Sequence, residues 1–377
     1  MALAVSQGAK EVKSFKDYEL TVNNIFNYYD YSPVRYNRLR ELQDVMLSEQ
    51  VALKEPHSVR WLSLHEAVNA VKKCFPALVA ALGEDAANGN AVARGLSKNT
   101  ETYTFVAHTC LLSDILPLFT KLSKCFQLHN LDYDKVQTML GVTRESLRGM
   151  LEEELLLPSY HELRELPVTD DQVTWNDIPL KKTEDMDNRC ERAKSQFLNE
   201  LLANLDRRFP DESMSQIGKL NTLLNPRKLK AIPVGDVAQY GLKELEEVSE
   251  VMFLPGAPNV GFNSDRARSD FQSFKIFARN SKNQNLQDFA CELITLFNDE
   301  FPDFAILMEY FLVVPLNSAT CERGFSSQNI VKTKHRNRLT EQRMDQLLRV
   351  AINGPMFDKF DYDKAAKHFR DMKERRK

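Results

Sequence analysis

The sequence lacks most of the signatures of catalytic and metal-binding proteins. It has no glycine-rich phosphate loop and no Gly-x-Ser-x-Gly turn, so nothing points to P-loop nucleotide chemistry or to a serine hydrolase. Six cysteines are scattered singly over 377 residues without a Cys-x-x-Cys pair. The histidines show no ligand spacing, and the sequence therefore predicts reduced thiols and no metal site.

Long apolar runs are also missing. No uninterrupted apolar stretch approaches the ~20 residues needed to span a bilayer, and the start MALAVSQGAKEV lacks the basic residues and apolar region of a signal peptide. We therefore expect a protein inside the cell with no membrane partner. Hydrophobic residues make up 43% of the chain, which is ample for a packed core.

There is no surplus of positive charge. Lysine and arginine total 50 against 53 acidic residues, giving a net charge of −3. This balance argues against a globally basic nucleic-acid binder, so any DNA contact has to come from local patches.

Helical periodicity is abundant in the sequence. Apolar residues recur at three- and four-residue spacing through most of the chain, which predicts a mainly α protein. The first 50 residues predict two helices that meet at Ser32 and Pro33. The proline-containing segment from Pro158 to Pro179 predicts a polar connection.

The stretch from Val313 to Ile352 is the most informative. The apolar run from Phe311 to Val314 predicts either a buried strand or the last turn of a helix. A helix is then predicted from Asn317 or Ser318, and another from Thr340 to the turn at Asn353, since these residue types cap helix starts and ends.

The second of these helices is amphipathic, and its apolar stripe can pack either on its own core or on a partner chain. The stripe consists of Met344, Leu347, Leu348, Ala351 and Ile352. The loop between the two helices is the most basic in the chain and contains no acidic residue. Its basic side chains are Lys332, Lys334, His335, Arg336 and Arg338.

These residues resemble the C-terminal signature of the hAT superfamily of DNA transposases. The matching positions are Ser318, Glu322, Arg323, Phe325, Ser326, Lys334 and the run Arg336-Asn337-Arg338-Leu339. In that family the glutamate is the last of three metal-binding acids, and the region mediates dimerisation. The resemblance therefore places Glu322 at the position of this metal ligand. By its location near a helix start alone, the side chain could simply complement the helix dipole.

Arg60 and Trp61 resemble a second hAT motif, at the start of the family's helical insertion domain. There the tryptophan stacks on a flipped base, an interaction worth about 1–3 kcal/mol. The alternative for this chain is a tryptophan buried in the core with Arg60 at the surface.

The resemblance implies a truncated or domesticated transposase of the zinc-finger-linked vertebrate type. The expected fold is mainly α, with a remnant of an RNase H-like core interrupted by a large all-helical insertion domain. The expected parts are a core remnant over 1–55, the insertion over 56–275, the rest of the core with the dimerisation domain over 276–355, and a basic charged tail over 356–377.

The resemblance also implies that catalysis is incomplete. Two of the three acids, and the family's zinc finger, would lie upstream of Met1, which leaves Glu322 as a remnant. Two-metal chemistry needs several converging carboxylates, so we expect no enzyme, no cofactor and no small-molecule substrate, with Mg²⁺ relevant only if the site were completed.

We expect dimerisation, with a second copy or with a related hAT-domain protein, and a nuclear or otherwise cytoplasmic location. The residues expected at the interface are Phe325, Leu339, Met344, Leu347, Leu348 and Ile352. The alternative is residual nucleic-acid binding through Arg60, Trp61, Lys332, Lys334, Arg336 and Arg338.

Overall fold

A computed structural model describes residues 12–46, 49–56, 61–126, 133–252, 261–313, 319–333, 336, 338–355 and 357–371. The chain divides into two compact units, Met1–Val314 and Pro315–Lys377, which are considered separately. The described residues are mainly α-helical and contain one two-stranded sheet. The prediction of a mainly α protein is confirmed.

The first half of unit one is a set of eight helices. They are α1 (Lys13–Asp30), α2 (Pro33–Val45), α3 (Trp61–Lys73), α4 (Phe75–Ala87), α5 (Ala91–Thr100), α6 (Tyr103–Phe126), α7 (Tyr133–Leu151) and α8 (Pro158–Glu165). The predicted break between the first two is confirmed. The Ser32 hydroxyl accepts a hydrogen bond from the Arg35 N–H at 3.4 Å, and Pro33 starts α2, where no N–H is required.

Helix α6 lies at the centre of this half and packs against α3, α7 and α8. By length and composition it is the one helix among the described residues that could cross a membrane, but 67% of its apolar window is buried inside the protein. Such burial is typical of the central helix of a packed core.

A β-hairpin follows α8, formed by β1 (Gln172–Trp175) and β2 (Ile178–Lys181). The strands are antiparallel, with Val173 opposite Leu180. The two turn residues, Asn176 and Asp177, have φ of 48° and 64°. Two-residue hairpin turns favour positive φ, which asparagine and aspartate tolerate better than most residues.

The prediction of a polar connection from Pro158 to Pro179 was therefore wrong. Pro158 begins a helix, and the alternation of β1 buries Val173 and Trp175 while its other residues face solvent. The Trp175 ring packs on Phe75 of α4, with centroids 4.9 Å apart. The hairpin is thus anchored to the core by a large apolar side chain.

In the second half of unit one, a first helix packs on α6 and α7, and the helices after it surround a separate aromatic core. The elements of this half are α9 (Glu184–Arg208), α10 (Asp211–Leu224), α11 (Pro226–Ala231), a 3-10 turn (Val234–Asp236), α12 (Leu242–Met252), α13 (Ser264–Asn280), α14 (Leu286–Leu296) and α15 (Pro302–Val313). At the centre, the rings of Phe274 and Phe304 stack with centroids 4.1 Å apart, and both are fully buried. Because α15 runs to Val313, residues 311–313 form the end of a helix rather than a strand.

A buried lysine joins α13 to the turn after the 3-10 helix. The Lys275 ammonium donates to the backbone carbonyls of Val237, Ala238 and Tyr240, the last at 3.1 Å. It also lies 4.3 Å from the centre of the Phe271 ring. Burial lowers the pKa of this side chain, so the charged form carries a desolvation cost that these contacts offset.

Unit two contains α16 (Ala319–Val331), α17 (Glu341–Asn353), a 3-10 turn (Phe357–Lys359) and α18 (Tyr362–Asp371). The two helices predicted here are confirmed, and they pack against each other. The Thr340 hydroxyl caps α17 by accepting from the Arg343 N–H at 3.4 Å, as its residue type predicts.

His108 is a buried histidine that couples α6 to α1. Its Nδ1 lies against the Thr104 carbonyl, which only accepts, so Nδ1 carries the hydrogen and Nε2 accepts from the Ser14 hydroxyl at 3.2 Å. The Phe15 ring packs edge-on, with centroids 4.4 Å apart. Burial lowers the pKa of His108, and it also lowers that of His65, which pairs with Thr120 at 2.9 Å.

Stability is expected to fall as the pH drops below about 6.5, the ordinary pKa of histidine. Below that value the unfolded chain takes up a proton that the buried His108 ring resists, so the free energy of unfolding decreases. Urea denaturation at about pH 7 and pH 5 should show this loss, and His108→Gln should reduce it by removing one titrating group. An equal loss in the variant would assign the effect to other groups.

Candidate dimerisation surface and basic loop

Helix α17 has the amphipathic character predicted for it. Met344, Leu347 and Leu348 are half-buried, and Ile352 is 54% exposed. On another part of the helix, Arg349 pairs with Asp345 at 2.8 Å in a solvated i,i+4 bridge. None of the residues of α17 is buried.

Helix α16 and the loop after it also carry apolar residues that are exposed or half-buried. Phe325 is 64% exposed and Leu339 is half-buried. Two further residues were missed by sequence reasoning, Ile330 at 77% exposed and Val350 at 70%. Val350 falls outside the three- and four-residue stripe of its helix, so periodicity alone does not select it.

Unit two has no internal core among the residues described. From residue 324 to residue 371, no residue whose burial the structure describes is buried. A helical pair of this size removes little apolar surface from water by itself, because burial on folding scales steeply with chain length. Its exposed apolar side chains are therefore available to another surface.

The basic loop is open to solvent where the structure describes it. Lys332, Arg336 and Arg338 are all exposed, and none of the three forms an ion pair with a described acidic residue. The Arg336 N–H donates to the Thr333 carbonyl at 3.0 Å, which forms a turn. Lys334 lies outside the described residues. Three guanidinium and ammonium groups thus face water along one short segment.

The structure locates the remaining predicted residues only in part. Glu322 falls in the first turn of α16, and Trp61 is the first residue of α3. The side chains of both residues, and the whole of Arg60, lie outside the described part of the chain. The roles that the resemblance implies for these three residues stay predictions.

The side chains that the structure does describe contain no group of three or more histidine, cysteine or acidic residues that could hold a metal ion. No family model matches the chain. The resemblance to hAT transposases, which rests on the motif residues around Arg60 and Trp61 and from Val313 to Val350, stays a prediction.

Proposed function

We propose that the chain is a transposase-derived, catalytically incomplete protein whose main activity is dimerisation through unit two. The observation that carries the proposal is the exposed apolar surface of α16 and α17, in a unit with no buried residue among those whose burial is described. The hAT-like motif on the same two helices supports it independently.

The surface has the chemistry of a self-associating interface. Phe325 and Ile352 are exposed, and Met344, Leu347 and Leu348 of the predicted stripe are half-buried. Fully burying one such apolar side chain contributes about 1.5–3 kcal/mol. A stable interface buries roughly 1,200–2,000 Å² in total. A two-fold dimer uses the same patch on both copies, so each residue of the patch occurs twice at the contact.

The same resemblance supports the finer architecture. In this proposal α1 and α2 belong to a remnant of an RNase H-like core, and the helices from α3 to α12 form the insertion domain. Helix α13 runs across the boundary between residues 275 and 276 that the resemblance implies, and the helices on both sides of it share one hydrophobic core.

Replacing apolar residues of the surface by charged ones should dissociate the dimer. The full chain is expected to have twice its monomer mass of 43.4 kDa by size-exclusion chromatography with light scattering, at low and at high salt. Phe325→Asp combined with Ile352→Asp should give a folded monomer, because both side chains are exposed and contribute little to the fold of one chain. Gln346→Asp adds the same charge at another exposed position of α17 and should leave the dimer intact.

A wild-type monomer at all concentrations would reject self-association. A dimer that survives the double substitution would move the interface to another surface. Circular dichroism of each variant establishes that dissociation is not unfolding.

Nucleic-acid binding is the second candidate, and the exposed cations of the basic loop favour it. If Lys332, Arg336 and Arg338 contact phosphates, replacing all three by glutamine should reduce the slope of log affinity against log salt by about 3. Fluorescence anisotropy with a short duplex over a range of salt concentrations measures this slope. An unchanged slope would remove the loop from any nucleic-acid contact.

A further inference from the structure

A cleft of about 300 Å³ opens in unit one, between the end of α1, the start of α2 and the segment 49–56. This volume is at the lower end of the range found for small-molecule sites, and it suits a compact group. The residues that form its walls include Phe26, Tyr29, Asp30, Pro33, Tyr36 and Leu53.

Three of these side chains are aromatic. Tyr29 is buried, and Phe26 and Tyr36 are half-buried, so the rings are held by the fold while still bordering the cleft. The face of an aromatic ring carries negative electrostatic potential and attracts cations within about 6 Å of its centre. Three rings around one small space favour a cationic occupant over an anionic one.

Besides the three rings, a carboxylate lines the cleft. Asp30 is exposed at the last position of α1, lines the cleft, and forms no ion pair with any described lysine or arginine. Its charge adds a second, independent attraction for a cation. A purely apolar ligand would gain nothing from this residue.

Two rings of this hairpin, one of which lines the cleft, already hold cations in this way. The Arg40 guanidinium lies 5.8 Å from the centre of the Tyr36 ring, and that of Arg35 lies 4.2 Å from the centre of Tyr28. Neither arginine lines the cleft itself. The hairpin of α1 and α2 is therefore a region where ring faces are oriented towards positive charge.

We propose that this cleft binds a quaternary ammonium group. Such a group has no N–H to satisfy, is weakly hydrated, and presents methyl surface to the rings and charge to Asp30. An unmodified lysine ammonium is a compact and strongly hydrated charge, so it would lose more in leaving water. The same chemistry occurs in choline and in a trimethylated lysine side chain, and the two sources can be separated by experiment.

The first measurement is binding of three probes to the full chain by ligand-observed NMR. The probes are choline, the neutral isostere 3,3-dimethylbutanol, and N-acetyl-trimethyllysine amide. Both quaternary ammonium compounds should bind, and the neutral isostere at least about tenfold more weakly, since the rings and the carboxylate act on charge. Tighter binding of the lysine derivative would identify a modified protein segment as the source, and tighter binding of choline a headgroup or free metabolite.

Three variants and a matched control assign the binding to the cleft. Tyr36→Leu should weaken binding of both cations by roughly 2- to 30-fold, the range expected for one lost cation–π contact, and Tyr36→Phe should not, because it keeps the ring. Asp30→Asn should weaken binding of both cations and leave binding of the neutral isostere unchanged. Tyr31→Leu is the control, since Tyr31 is 81% exposed, lies next to Asp30 in sequence and is not among the residues lining the cleft.

Two results would overturn the proposal. One is equal affinity for choline and its neutral isostere, which would make the cleft a simple apolar surface. The other is the absence of saturable binding of either cation at millimolar concentration in a wild-type protein whose circular dichroism shows it to be folded.

Discussion

Replacing Phe304 by alanine is expected to lower the free energy of unfolding by about 3–5 kcal/mol. Phe304 is fully buried in the second core of unit one, where its ring stacks on Phe274 at 4.1 Å and lies 5.6 Å from that of Phe271. Truncation removes the transfer free energy of the ring, leaves a cavity among α13 and α15, and forfeits stacking worth about 0.5–1.5 kcal/mol. Urea denaturation followed by far-UV circular dichroism measures the loss.

Phe304→Leu is the matched control. Leucine keeps most of the apolar volume and loses the stacked geometry, so it should cost less than half as much as alanine. A small effect of alanine, below about 1 kcal/mol, would mean that the site collapses around the missing ring and that this core is loosely packed.

Replacing Lys275 by methionine is expected to cost about 2–4 kcal/mol, because hydrogen bonds from a charged group are each worth about 1.5–3 kcal/mol. Methionine keeps an unbranched apolar stem against Phe271 and removes the ammonium. The carbonyls of Val237, Ala238 and Tyr240 then lose their shared donor, and the turn after the 3-10 helix loses its tie to α13. Denaturant unfolding of the purified variant gives the value.

Lys275→Ala separates the stem from the charge. It should be less stable than the methionine variant, since it loses the packing of the stem as well. If methionine proves as stable as lysine, the desolvation cost that lowers the Lys275 pKa balances its hydrogen bonds, as happens for some buried ions.

Helices were the part of the fold that sequence reasoning could predict. Ser32 and Pro33 separate α1 from α2, and Thr340 starts α17, because capping and proline act within a few residues. The hairpin was missed because β1 buries only two residues, Val173 and Trp175, too few for a period of two to stand out.

The candidate sites show the same division between local and long-range information. The stripe of α17 was visible in the sequence because Met344, Leu347 and Leu348 repeat at helical spacing. The cleft was not, since Phe26 and Tyr29 look like core positions of α1 and only the folded chain brings Tyr36 and Leu53 beside them. The exposure of Val350 and Ile330 could be recognised only in the structure, because the exposure of a side chain depends on which other residues pack around it.

The anchoring of the hairpin by Trp175 makes intrinsic fluorescence a local observable in this protein. The chain has 2 tryptophans, one at the start of α3 and one in β1 beside Phe75, and none in the aromatic core built by α10 to α15. Tryptophan emission therefore reports on the first half of unit one and not on the aromatic core, while circular dichroism follows every helix. Two denaturation curves that coincide would show both cores melting as one cooperative block, and two that separate would show a half-unfolded intermediate.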